Sequence, residues 1–146
     1  MNIKHLFVYG TLQTGMRNAH ARALTNKSLA AIPAWLNGAD LYDLGEHPGA
    51  VRSKSRTAKI QGEILVFDQV ILDGLLDALD QYEEFTRGDE HGSLFIRRAE
   101  NVQTANGSIR AWVYWYNGSV EAAVPIRSGA YAKPLGTRKP KGRRAA

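Results

Sequence analysis

The chain has no cysteine at all, which excludes disulfides, thiolate metal sites and a cysteine nucleophile. No apolar run approaches the length of a membrane span. The short apolar stretch that follows Met1-Asn2-Ile3-Lys4-His5 ends at Gly10, too soon for the h-region of a signal peptide. A cytoplasmic protein with no membrane partner is the expectation. Its four histidines, His5, His20, His47 and His91, are scattered without the spacing of metal ligands on a helix or strand, so no metal site is expected. A Gly-X-Ser-X-Gly elbow is missing, which weighs against an esterase. So are a glycine-rich dinucleotide loop and a phosphate-binding lysine motif.

What is present is ordinary globular material: 146 residues, 44% hydrophobic, with three Trp and six Tyr. That is enough for one domain with a sizeable core. The formal net charge of +5 is unevenly placed. Lys133, Arg138, Lys139, Lys141, Arg143 and Arg144 are six of the 19 basic residues, and no acid lies between 131 and 146. The remaining 13 basic residues face 14 acidic ones, so the body is close to neutral. We therefore expect a domain over 1–130 and a basic tail over 131–146, Pro/Gly-punctuated and with the composition of a disordered arm. Such a tail can touch polyanions weakly and in a salt-dependent way. Exposed charge alone specifies no partner, so nucleic acid is not expected as one. The oligomeric state leaves no readable signal.

His5 to Tyr9 is β-prone and closed by Gly10, which predicts a strand entering a turn. Asn18 can cap a helix over 19–26. Trp35 to Leu44 reads as one extended segment with a bulge or close approach at Gly38, and His47-Pro48-Gly49 as a turn. Ile60 to Phe67 predicts another strand. Ile71, Leu72, Leu75, Leu76, Leu79 and Tyr82 then fall on one helical stripe, which predicts a helix over 69–82. Leu94–Val102 and Ile109–Tyr116, joined through Asn106-Gly107, predict a hairpin. Val120 to Val124 can still dock on the body. Five or six strands with few helices indicate an α+β fold built on a mixed, partly closed β-barrel-like sheet with flanking helices.

Two places can carry chemistry. Tyr9-Gly10-Thr11-Leu12 follows a strand, and a Gly-hydroxyl turn there can aim several backbone N–H groups at one anion. Gly10 allows close approach and the Thr11 hydroxyl can add a bond; the same four residues can equally be a plain turn. Glu83 and Glu84 follow Tyr82 where the helix ends, unfavourably placed against its dipole. A carboxyl held there can have a raised pKa suited to acid/base work, or both can be idle and exposed. Asp77 and Asp80, beside the apolar stripe, are expected to be solvated. Glu63 is a third candidate, or a hydrogen-bonded sheet residue. Trp112, Tyr114 and Tyr116 alternate with Val113 and Trp115. Such a strand can stack bases, but the body lacks a basic stripe, so core on one face and pocket wall on the other is expected.

Together these blocks resemble one family. Phe7-Val8-Tyr9-Gly10-Thr11-Leu12, with Gly15 and Asn18, is similar to the opening of the γ-glutamylcyclotransferase-like proteins, which include γ-glutamylamine cyclotransferases and small bacterial homologues. Leu41-Tyr42-Asp43-Leu44-Gly45 with Pro48-Gly49 resembles their second block and Gly62-Glu63 a third. Leu76-Asp77 and Leu79-Asp80-Gln81-Tyr82-Glu83 resemble the helix that ends in their catalytic glutamate. Phe95-Ile96-Arg97 and Ala111-Trp112-Val113-Tyr114 complete the order, over about residues 5–117. The sequence departs from the pattern at Glu84, where relatives usually have glycine, and at Phe95, where they usually have tyrosine.

The resemblance implies a six-stranded barrel-like sheet with one cavity, a substrate loop at Tyr9, Gly10, Thr11 and Leu12, and a general acid/base at Glu83. It implies cyclisation of a small-molecule γ-glutamyl amine or peptide to 5-oxoproline with release of the amine, without cofactor or metal. Two other readings are a non-catalytic small-molecule binding protein on the same fold and a nucleic-acid-associated protein acting through its tail.

Overall fold

The computed structural model describes residues 2–131. The expected basic tail lies outside the described residues except for Tyr131, which packs against the barrel core.

Strand β1 (His5–Val8) leads through the 9–18 segment into helix α1 (Ala19–Lys27). Asn18 caps α1 as expected, its Oδ1 accepting from the Ala21 N–H at 2.7 Å. Then come β2 (Ala30–Asn37), β3 (Ala39–Asp43), β4 (Pro48–Arg52), β5 (Lys59–Val66), α2 (Gln69–Tyr82), β6 (Phe95–Thr104), β7 (Gly107–Tyr116) and the short β8 (Val124–Pro125). Five strands close a barrel in the order β1-β5-β2-β6-β7. Its pairings are antiparallel apart from β1 with β7, which run parallel and meet at Leu6 and Trp112. The remaining strands form a small sheet, β4-β3-β8.

Alternation along the barrel strands separates two apolar layers. Phe7, Leu36, Ile60, Ile64, Val113 and Trp115 turn inward, and Ala39, Leu41 and Ala50 of the small sheet join them. Leu6, Val8, Leu65, Phe67, Phe95 and Tyr114 turn outward and are covered by Leu24 of α1 and Leu72, Leu76 and Leu79 of α2. The aromatic strand β7 thus divides as its alternation implies, with Val113 and Trp115 in the core.

Four expectations are corrected. The barrel closes on five strands, not the six implied by the resemblance, and the stretch read as one extended segment is two strands in two sheets. At Gly38 the backbone takes φ +75°, and the chain leaves the barrel there for the small sheet. The turn expected at His47-Pro48-Gly49 lies earlier: Leu44 N–H donates to the His47 carbonyl at 3.0 Å, and Pro48 already pairs with Asp43 as the first residue of β4. Asp80 is not solvated but buried at 5% exposure; its partners are described below. Gly62 marks a close approach in the barrel, since a Cβ there would stand 2.2 Å from the Val8 carbonyl oxygen of β1.

Candidate active site

Helix α2 ends in a Schellman motif. Glu83 is its C-cap, with its N–H donating to the Leu79 carbonyl at 2.8 Å. The Glu84 N–H donates to Gln81 at 3.1 Å and the Phe85 N–H reaches back to Asp80 at 2.8 Å. The motif needs a left-handed residue directly after the cap, a place glycine fills without strain. Here it is Glu84, at φ +56°, the one non-glycine residue with positive φ among the described residues.

The cap sets Glu83 beside a cleft of about 240 Å³, a little under the usual range of roughly 300–1,000 Å³ for small-molecule pockets. Tyr9, Gly10, Thr11 and Leu12 line the same cleft, as do Tyr82, Glu83, Phe95 and Tyr114. All five residues singled out for the site from the sequence are therefore brought together. The β3–β4 connection and the start of β4 add Glu46, His47 and Pro48, none of which had been singled out for the site. Glu63 lies elsewhere: its Oε1 accepts from the Thr14 N–H at 2.8 Å, so it braces the far side of the loop as a hydrogen-bonded sheet residue.

The loop itself is a β-turn, closed by the Gln13 N–H on the Gly10 carbonyl at 3.2 Å. A turn of this kind pairs its outer residues and leaves the two central N–H groups, here those of Thr11 and Leu12, unused. Among the described residues, no acceptor takes them. The turn is held from outside by Asn18, whose Nδ2 donates to the Thr11 carbonyl at 2.6 Å. Gly10 lies against Pro48, and a Cβ there would stand 2.6 Å from the proline Cγ. Among the described residues, neither lysine nor arginine lines the cleft, so of these residues only the backbone donors can meet an anionic ligand group.

Among the described residues, nothing hydrogen-bonds or ion-pairs with the Glu83 carboxyl. Burial without a partner disfavours its charged form and pushes its pKa up from 4.5 to about 7. Two tyrosines flank it. The Tyr9 hydroxyl donates to the Tyr114 carbonyl at 2.7 Å and accepts from the Ala50 N–H at 3.2 Å. Burial, and then the nearby Glu83 charge, hold its pKa far above the ordinary value. The Tyr114 hydroxyl donates to Asp80 Oδ1 at 2.6 Å, and burial followed by the Asp80 hydrogen bond raises its pKa likewise.

Asp80 is the centre of a buried network. Arg97 of β6 grips it with a fork, Nε to Oδ1 at 2.8 Å and Nη2 to Oδ2 at 3.0 Å. Arg87 donates to Oδ2 at 3.0 Å from the surface and also reaches Asp77, which is exposed as expected. The Arg97 guanidinium stacks 4.3 Å over Trp112. Burial alone would raise the Asp80 carboxyl, but the Arg97 and Tyr114 hydrogen bonds outweigh it and hold its pKa below the ordinary value.

The family model described as gamma-glutamyl cyclotransferase, AIG2-like, matches residues 6–133. The chain belongs to this family. Among solved structures, the Escherichia coli protein ytfP is 27% identical, over 90% of this chain and 98% of its own, with a TM-score of 0.57. An AIG2-like protein from Mus musculus is 24% identical, over 99% of this chain and 100% of its own, with a TM-score of 0.63. An uncharacterised protein from Pyrococcus horikoshii is 21% identical, over 91% and 93%, with a TM-score of 0.59. The last two likenesses establish the fold. No curated protein sequence matches the chain. Membership in the cyclotransferase family makes this chain a cyclotransferase-type protein with a small-molecule substrate. No helix among the described residues is long and apolar enough to cross a membrane.

Proposed function

We propose that this chain converts a γ-glutamyl amine or peptide into 5-oxoproline and the free amine. In this reading the 9–12 turn holds the glutamyl α-carboxylate, and Glu83 is the general acid/base. The observation that carries it is the unpaired Glu83 carboxyl, with its pKa raised to about 7, in the same small cleft as that turn.

The α-amine nitrogen of the substrate attacks its own γ-carbonyl carbon, forming the ring C–N bond. The bond from that carbon to the distal nitrogen breaks. Glu83 takes a proton from the attacking amine and returns it to the departing nitrogen, so it ends the cycle as it began. A carboxyl half-ionised near neutrality can both accept and donate. Fixing the α-carboxylate holds the bound substrate in the folded conformer, so that the amine, already part of the same molecule, stays oriented toward the γ-carbonyl. The atoms balance without metal, nucleotide or water.

The test is release of 5-oxoproline and amine from a panel of γ-glutamyl amines and dipeptides. Glu83→Gln should lower kcat by about 10²–10⁴-fold. A wild-type protein that binds these compounds saturably yet turns none of them over would instead be a non-catalytic binding protein on the same fold.

A further inference from the structure

Among the described residues the Glu83 carboxyl makes no hydrogen bond, so something else must fix where it stands. The tether available is one helical turn back. Asp80 precedes Glu83 by three residues, on the neighbouring turn of the same helix face. Its two oxygens accept four hydrogen bonds: two from Arg97 on β6, one from Tyr114 on β7 and one from Arg87. The Asp80 and Arg97 side chains are both only 7% exposed, and the Asp80 carbonyl also takes the Phe85 N–H that closes the cap.

We propose that Asp80 and Arg97 are positioning residues for Glu83: their buried fork pins the last turn of α2 to β6 and β7. The Glu83 carboxyl is thereby held in the cleft opposite the 9–12 turn. A buried pair of this kind is weak evidence for stability, since well-packed apolar residues can often replace it. What it supplies that apolar packing does not is a fixed direction, because a bidentate fork allows little rotation or sliding.

The charges around Glu83 are few. Tyr9 comes from the end of β1 and Tyr114 from β7; Glu46 and His47 come from the β3–β4 turn, and Tyr82 and Glu84 from its own segment. Among the described residues lining the cleft, none is a lysine or arginine. With the fork intact, the Asp80 charge is neutralised next to Glu83. With the fork broken, Glu83 is free to swing toward water.

The inference rests on the proposed role of Glu83, but its test does not require turnover. The Glu83 carboxyl is titrated by ¹³C NMR, its signal assigned with Glu83→Gln, in wild type and Arg97→Lys. Lysine keeps the positive charge and loses the fork. The midpoint is expected to fall from about 7 toward the ordinary glutamate value by about one pH unit. With an active substrate, kcat should fall by about 100-fold, the scale of a small misplacement, while KM changes little. Should Arg97→Lys not fold, Asp80→Glu keeps the charge and displaces the fork, with a fall expected again. A folded variant of lower Tm whose Glu83 midpoint is unchanged, or rises, overturns the proposal. A wild type without turnover, whose midpoint nevertheless falls in Arg97→Lys, keeps the positioning role and removes the cyclotransferase reading.

Discussion

At the end of α2, two adjacent glutamates meet opposite demands. Glu84 accepts a backbone conformation that costs an L-residue roughly 1–2 kcal/mol, while its neighbour accepts burial of an unpaired carboxyl. Glu84→Gly should therefore stabilise the fold by about 1 kcal/mol, read as a higher urea midpoint with an unchanged m-value. For Glu83 the sign follows from proton binding. Between pH 4.5 and about 7 the folded state binds the proton more tightly than the unfolded one, so stability falls as pH rises through that window. Glu83→Gln removes this slope. Relative to wild type, the variant should gain about 2 kcal/mol on going from pH 5 to pH 8, as measured by urea unfolding at both values. Equal pH dependence of the two proteins would contradict the raised pKa. The helix-end position of the two acids was readable from the local pattern, but the choice of Glu83 over Glu84 came only from the resemblance, because the local pattern does not carry the cap geometry. Asp80 was misread for a related reason: its burial is made tolerable by Arg97, 17 residues away on another element.

At the scale of elements, α2 was legible to its ends from its apolar stripe, and the structure adds Asp68 as its N-cap. The β6–β7 hairpin was equally clear from β-prone runs around Asn106-Gly107. The start of β2 at Ala30-Ala31 and all of β4 were not, because alanine, proline and glycine have little intrinsic strand preference. Those segments are strands because partners impose it: Ala30 pairs with Val66, and Pro48 with Asp43. Gly62 belongs to the same class of feature, a short word in sequence whose meaning is a contact. Its missing side chain lets β5 lie against the Val8 carbonyl. Gly62→Ala should therefore cost about 2 kcal/mol through forced backbone shifts, measured by chemical denaturation. A cost below about 0.5 kcal/mol would mean that the strands separate easily there.

For the whole molecule, barrel closure is what assembles the cleft. The parallel pairing of β1 with β7 sets the turn after β1 next to Tyr114, and α2 crosses the outer layer so that its last turn arrives at the same place. The Tyr9 hydroxyl joins the barrel to the small sheet, bonding Tyr114 on one side and Ala50 on the other. Parts distant in the chain thus meet at one end of the barrel, and no local pattern announces this. Only the order of the sequence blocks did.

The turn at Gly10 to Gln13 has a kinetic consequence. On the proposed reaction, the α-carboxylate it holds is untouched by the chemistry and is carried unchanged into 5-oxoproline. The strength of its grip is then the same on substrate, transition state and product and sets KM, while kcat depends on the folded conformer it selects. Product should accordingly compete with substrate. Gly10→Ala, which drives a methyl group into Pro48, should raise KM and the 5-oxoproline inhibition constant by a similar factor while kcat changes far less. The amides that capture the substrate would also slow the departure of what it becomes.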